Sequence, residues 1–244
     1  LFAKTLGGNQ AQTYSKLPPR TEAEGQPRAG VYTPNTIVRS LAAAVDVRDR
    51  YTHSHSRVVS ALAAAIGREL HLSTTEVGRV TIGGLLHDVG KIGVPDAILT
   101  KQGALTEEEW HSIKQHPVLG KRVIEQAPEL RDVVPLVLHH QERYDGTGYP
   151  FRLKAEEIPL GARIIAAADA YHAIRSDRPY RSGRTHAEAV PEMLRCAGTQ
   201  FDPKVINALL RALEADDNLR SMMISPLPAA PSSALASDST GALN

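Results

Sequence analysis

Residues 73–91 read STTEVGRVTIGGLLHDVGK. Ser73, Thr74 and Thr75 offer capping hydroxyls and Glu76 an acid for the first turn, so a helix is predicted to start here. It should run to about His87 and stop near Gly90. The same reading extends in both directions. Residues 36–47 and 56–71 are rich in Ala, Val and Leu, with apolar positions three and four apart, the helical period. Thr106 with Glu107, Glu108 and Glu109 opens a further helix, which Pro117 is expected to end after His116, and a short helix leads on to Gln126. Residues 130–142 read as another, with a kink expected at Pro135. Residues 161–176, 186–196 and 203–216 complete the set. Residues 143–160 hold Gly146, Gly148, Pro150 and Pro159 and are expected to form a long ordered loop, a place where compact domains often put function. No alternating strand pairs and no internal repeat interrupt this pattern, so the fold class is all-α.

Both ends differ from the middle. Residues 1–33 carry Gly7, Gly8, Pro18, Pro19, Gly25, Pro27 and Gly30 without a sustained apolar period and read as a linker. Residues 225–244 are Ser, Ala and Pro with a single charge, Asp238, and are expected to be disordered, because they cannot bury enough apolar surface to offset ordering. Residues 34–224 are enough chain for one well-filled core. Over the 244 residues, 28 Lys and Arg nearly cancel 27 Asp and Glu, which removes the case for a nucleic-acid polymer held by bulk positive charge. One cysteine, Cys196, cannot form an internal disulfide. The longest apolar stretches, residues 61–66 and 164–168, fall far short of the roughly 18 residues that span a bilayer, and no secretory leader pattern opens the chain. These features predict a cytoplasmic protein.

The ten histidines are unusual for where they fall. His87 and Asp88 sit together at the end of an apolar helix, where an imidazole and a carboxylate can reach one cation and the second carboxylate oxygen can bridge to another. A dipole-favoured histidine beside a solvated aspartate explains that pair alone equally well. His55 begins a helix, His116 ends one, and His139 and His140 follow the apolar run 133–138. Asp169 lies within residues 164–170, where an unpaired carboxylate would be costly to bury. Histidines and aspartates converging from separate helices need positive charge between them, which divalent metals supply. His53, His71, His111 and His186 read as solvent-facing, Trp110 as core or a helix contact, and residues 148–150 as a packed turn or a surface near the site.

Five blocks occur in order over about residues 36–210: YTHSHSR at 51–57, HDVGKIG at 87–93, IKQHP at 113–117, HHQERYDGTGYP at 139–150, and ADAY at 168–171 followed by SDRPYR at 176–181. On these, the chain resembles the HD-GYP family, a branch of the HD metal-dependent phosphohydrolases. The resemblance implies an HD-superfamily helical bundle with a long ordered GYP loop. It implies a phosphodiesterase that hydrolyses cyclic di-GMP to pGpG, and in some members to GMP, by attack of a hydroxide bridging two cations. Carried over, one metal takes His55, His87, Asp88 and Asp169, and the other takes Asp88 with His116, His139 and His140. Where three-metal members place a glutamate, this chain has Tyr51, so two divalent ions are expected, with Fe or Mn favoured by mixed nitrogen and oxygen ligands. Asp88 and Lys91 carry the catalytic roles, and Lys91, Tyr149, Arg178 and Arg181 the substrate contacts. His172 stands where relatives commonly have Asp, which alters the hydrogen bonding behind the ligands.

The implied partners are cyclic di-GMP, a GGDEF domain docking through the GYP loop, and a second copy of the chain in a homodimer. Residues 1–9, LFAKTLGGN, faintly resemble the end of a GGDEF diguanylate cyclase domain. Two rival readings are a catalytically silent module that binds the nucleotide or a protein partner, and an HD phosphohydrolase for another nucleotide. The seven ligand positions argue against the first, and the GYP and RPY blocks against the second.

Overall fold

The structure, a computed structural model, describes residues 36–48, 55–177 and 182–221. The expected linker at 1–33 and tail at 225–244 lie outside these residues, as do Tyr51, His53, Arg178 and Arg181. The described helices are α1 (Thr36–Arg48), α2 (His55–Glu69), α3 (Thr74–Leu86), α4 (Asp96–Leu99), α5 (Glu107–Lys114), α6 (His116–Ile124), α7 (Val134–His139), α8 (Leu160–Arg175), α9 (His186–Arg195), α10 (Pro203–Ala215) and α11 (Asp217–Ser221). Short 3-10 turns cover Val89–Gly93, Pro128–Val133 and Ala155–Glu157. One isolated bridge between Ala197 and Phe201 is the only β pairing among the described residues.

The helix starts follow their capping residues. Ser73, Thr106 and Thr185 each close a reciprocal box with the glutamate three residues on, Glu76, Glu109 and Glu188. Two proline expectations are corrected. Pro135 bends nothing, because it occupies the first turn of α7, where its missing N–H costs no hydrogen bond, and the turn before it is 3-10. Pro117 likewise sits in the first turn of α6, so the break falls at Gln115 and His116 opens the new helix. Two surface readings also change. Trp110 is 49% exposed, which removes core from the two readings and leaves the helix contact, and His186 lies 2.7 Å from the Tyr171 hydroxyl rather than facing only solvent. None of the described helices is long and apolar enough to cross a membrane.

Helix α3 holds the molecule together because both its sides are apolar. Val80 joins a core built from Val59, Leu62 and Ile66 of α2, Ile164, Ile165 and Tyr171 of α8, Met193 of α9 and Leu209 and Leu213 of α10. Ile82, Leu85 and Leu86 join a second core with Val38 and Val45 of α1, Ile124 of α6 and Val137 of α7. The end of α3, where His87 and Asp88 lie, therefore emerges between the two.

Close approach of α2 to α3 depends on Gly84, since a Cβ there would lie 2.8 Å from Ser60 Cα. Ser60 Oγ also donates to Thr81 C=O at 2.7 Å across this contact. Gly84→Val is expected to cost about 1–3 kcal/mol by overpacking. At roughly 2–4 °C per kcal/mol for a domain of this size, the thermal midpoint should drop by several degrees. An unchanged melting curve would refute the close-contact reading.

Candidate metal centre

Four helix ends and the middle of a fifth helix meet at one point. His55 is the first residue of α2, His87 follows the last residue of α3, His116 opens α6, His140 follows α7, and Asp169 lies within α8. His55, His87 and Asp88 form one buried group of ligand atoms, and Asp88, His116 and His140 a second. Asp88 belongs to both. Its Oδ2 lies 3.3 Å from His87 Nε2 and 4.0 Å from His55 Nε2, while Oδ1 lies 3.4 Å from His116 Nε2. Asp169 Oδ1 adjoins the first group at 3.3 Å from His55 Nε2. His87 is fully buried, and His116 and His140 are 2% exposed.

The hydrogen bonds behind the rings decide what these nitrogens offer. His87 Nδ1–H donates to Gly84 C=O at 2.9 Å, His116 Nδ1–H to Ile113 C=O at 2.8 Å, and His140 Nδ1–H to Val137 C=O at 2.7 Å. A carbonyl only accepts, so each Nδ1 must carry the proton and each neutral ring presents a lone pair at Nε2. Those lone pairs face one another. His116 Nε2 is 3.2 Å from His140 Nε2, and His87 Nε2 is 3.3 Å from His55 Nε2, with the Asp88 carboxylate between the pairs. Electron-rich atoms buried this closely require positive charge, and imidazole nitrogen with carboxylate oxygen is a donor set for divalent transition metals. The residues present fit such ions.

Without a cation, charge reaches the cluster by two other routes. Lys91 Nζ lies 2.8 Å from Asp88 Oδ2, so the lysine expected to face substrate also pairs with the shared carboxylate. A proton is the second route. Burial would push the His87 imidazole down, but the charge and hydrogen bonding of Asp88, with Asp169 and Gly84 C=O, carry it up to about 9. At His140 burial, with His116 and His87 beside it, outweighs the Asp88 charge and pushes it down to about 3. Burial raises the Asp88 carboxyl, yet Lys91 and His87 hold it well below the usual range; Asp169 is likewise held low, against burial, by His55.

His139 is the one expected ligand that the structure does not bring in. Successive residues on a helix point about 100° apart, and with His140 turned inward His139 faces the other way. Its Nδ1 lies 3.8 Å from Glu142 Oε1 and its ring 5.5 Å from that of Phe151.

The segment after His140 wraps the open side. Tyr144 N–H donates to Gln200 C=O, Asp145 N–H to Thr199 C=O, and Phe151 N–H to the buried Glu142 carboxylate at 2.7 Å. Gly148 passes so close to Glu142 and Arg143 that a Cβ would meet their backbone. Tyr149 thereby stands over His116, ring centroids 6.4 Å apart, with Lys114 Nζ 5.9 Å from its ring. Burial and the nearby Asp88 charge raise its phenol to about 12. A cavity of about 340 Å³ opens here, lined by Lys114, Gln141, Arg143, Tyr149, Asp169 and Gln200 among others. The sequence carries no sign of these lining roles: Lys114 lies in the IKQHP block only as a neighbour of His116, and Gln200 lies in no block. Gln200 reaches the cavity only through the backbone pairing of its loop with residues 144–145.

A family model described as an HD domain matches residues 39–205. The chain belongs to the HD domain family. Its relatives support the resemblance to the HD-GYP phosphodiesterases. A cyclic di-GMP phosphodiesterase of Pseudomonas aeruginosa is 46% identical over 166 residues, 68% of this chain and 40% of the relative. A 3′3′-cGAMP-specific phosphodiesterase of Vibrio cholerae is 34% identical over 177 residues, 72% of this chain and 38% of the relative. The chain thus spans about two fifths of these curated relatives. The crystal structure of a cyclic GMP-AMP specific phosphodiesterase of V. cholerae superposes with a TM-score of 0.62 at 20% identity, over 78% of this chain and 50% of that one. The shared fold is the helical HD domain, as the sequence predicts.

Cation binding here should release a proton, because His87 holds one up to about pH 9 and a ligand nitrogen must be free of it. The sign follows directly. Affinity at the His55–His87–Asp88 group should rise about tenfold per pH unit from 7 to 9 and level off above, as read by competition with a chromophoric chelator. A flat profile would contradict the proton's role as stand-in cation. Asp88→Ala should strip or weaken both groups in elemental analysis, whereas His140→Ala should affect only the second.

Proposed function

We propose that the domain is a metal-dependent phosphodiesterase that hydrolyses cyclic di-GMP to pGpG, and onward to GMP. The observation that carries this reading is the pair of ligand groups sharing Asp88 beside a polar cavity. Two ions, Fe or Mn, would fit it: one on His55, His87, Asp88 and Asp169, the other on Asp88, His116 and His140. When bound, such ions act as Lewis acids that polarise phosphoryl oxygens and lower the pKa of water.

The chain's own groups do the rest. Lys91, 2.8 Å from Asp88 Oδ2 at the edge of the ligand groups, would meet the phosphodiester charge. Tyr149 and Lys114 form the cavity wall that receives a base or the second phosphate. Arg178 and Arg181 are assigned to substrate phosphates on the motif alone. A GGDEF domain at residues 148–150, next to which Phe151 is 59% exposed, and a second copy of the chain are proposed as protein partners. A cytoplasmic location follows from a nucleotide messenger as substrate. A second reading, hydrolysis of 3′3′-cGAMP, is favoured by the relative of that name.

Protein loaded with Mn or Fe should be given cyclic di-GMP and 3′3′-cGAMP separately, with products resolved by chromatography. Faster conversion of cyclic di-GMP supports the proposal, preference for 3′3′-cGAMP moves it to the second reading, and turnover of neither overturns both. Lys91→Ala should keep its metal, since a competitor for Asp88 is removed, and lose at least about tenfold in turnover. Loss of metal in this variant would contradict the role given to Lys91.

A further inference from the structure

The segment from Gln141 to Phe151 is held differently along its length. Its first half is braced internally. Asp145 Oδ1 accepts from Thr147 N–H at 2.9 Å and from Thr147 Oγ1 at 2.6 Å, and Arg143 Nη2 donates to Asp145 Oδ2 at 3.1 Å. Backbone bonds from Tyr144 and Asp145 tie that half to residues 199–200. The half that carries Tyr149 is held by two bonds. Tyr149 N–H donates to Gln141 C=O at 3.2 Å, and Phe151 N–H donates to Glu142 Oε1 at 2.7 Å. Phe151 is 59% exposed, so burial of its ring does not fix the segment. Glu142 is the opposite case. Its side chain is fully buried, and its Oε2 has no hydrogen-bond partner among the described residues. The Phe151 N–H is thus the one hydrogen bond its carboxylate receives. A buried carboxylate so sparsely bonded is costly, and an apolar side chain of the same length would serve packing better. Proteins accept such local costs at functional sites.

We propose that Glu142 is a positioning residue that fixes Tyr149 in the cavity wall and thereby sets nucleotide affinity, with His139 backing this anchor rather than binding a metal. The bonds at Tyr149 N–H and Phe151 N–H bracket the two peptide units that follow the tyrosine. Gly148 lets the segment lie down on its anchor, since a Cβ there would come 2.5 Å from Glu142 Cα. The phenol ring then stands across His116, at 81° to it. With no exposed side-chain surface, the Glu142 carboxylate acts through the loop and not on substrate. His139 lies against both partners of the anchoring bond, its Nδ1 3.8 Å from Glu142 Oε1 and its ring 5.5 Å from that of Phe151. The adjacent histidines therefore divide the work: His140 turns to the metal ligands and His139 to the loop. The ligand in this inference rests on the cyclic dinucleotide reading, whereas the anchor rests on geometry alone.

The test compares Mn-loaded wild type with Glu142→Met, Glu142→Gln, Glu142→Asp and His139→Leu. Mn content is read by elemental analysis, KM and kcat with cyclic di-GMP, and amide hydrogen exchange at Phe151 by mass spectrometry. Glu142→Met keeps the length and removes the acceptor. Its KM should rise about tenfold or more and its Phe151 exchange should quicken at least about tenfold, while kcat changes less and Mn content stays at the wild-type value. Glu142→Gln should restore KM and slow exchange, because its amide oxygen still accepts from Phe151 N–H. Glu142→Asp stops one methylene short and should behave like Glu142→Met. His139→Leu should keep its Mn and show a raised KM; lost Mn or a wild-type KM would overturn the part given to His139. Wild-type KM in Glu142→Met would overturn the proposal. So would joint loss of Mn and kcat without rescue by Gln, the result of a merely structural role. If Glu142→Met does not fold, Glu142→Asp decides by the same readings. Should wild type neither bind nor cleave cyclic di-GMP, the functional reading fails and exchange decides the anchor: Phe151 as protected in Glu142→Met or Glu142→Asp as in wild type overturns it.

Discussion

Lone pairs on buried nitrogens cannot be left facing a carboxylate without positive charge among them, and this constraint governs the centre of the protein. Each Nε2 of His87, His116 and His140 is made an acceptor by what its Nδ1 does on the other side. Once those protons are committed to carbonyls, three acceptors and Asp88 share one pocket. A proton on His87, the ammonium of Lys91 or divalent cations can answer the demand. The first two are weak substitutes, because a proton serves one pair of atoms and the ammonium sits against Asp88 Oδ2 rather than among the facing nitrogens. Cations between the groups serve every donor at once.

The two ligand groups correspond to the two apolar cores. His55 and Asp169 come from α2 and α8, which pack in the first core, while His116 and His140 come from α6 and the end of α7, whose Ile124 and Val137 belong to the second. His87 and Asp88 come from the end of α3, the helix common to both. A carboxylate that bridges the groups therefore also ties together the ends of two independently packed halves. Binding energy at the centre should stabilise the register between them, since ions held only by the native arrangement add to folding stability.

Most of the fold was legible because its signals are local. Ser73 with Glu76, Thr106 with Glu109 and Thr185 with Glu188 each mark a helix start on sequence spacing alone. Proline was harder, since Pro117 and Pro135 break a helix or begin one depending on where the preceding element ends, and that is settled by packing. Within the site, His55, His87, Asp88, His116, His140 and Asp169 could be named from their motifs, and the structure brings them together. The direction of His139 could not, because two adjacent histidines at a helix end diverge and nothing local says which turns inward. His172 was visible as an oddity, yet its hydrogen bond to His55 spans 117 residues and belongs to tertiary structure.

Helix polarity explains why three ligand histidines are held by backbone carbonyls. The last four carbonyls of an α-helix lack intrahelical donors. Gly84 lies in the last turn of α3, Ile113 in that of α5 and Val137 in that of α7, and a histidine three residues later satisfies each carbonyl. At His116 the sequence enforces this, because the residue that would have bonded Ile113 C=O is Pro117, which has no N–H. One bond thus ends a helix and fixes a tautomer. His55, the first residue of α2, instead sets its Nδ1 2.8 Å from His172 Nδ1. That partner comes from α8, the helix that already carries Asp169, one turn further on.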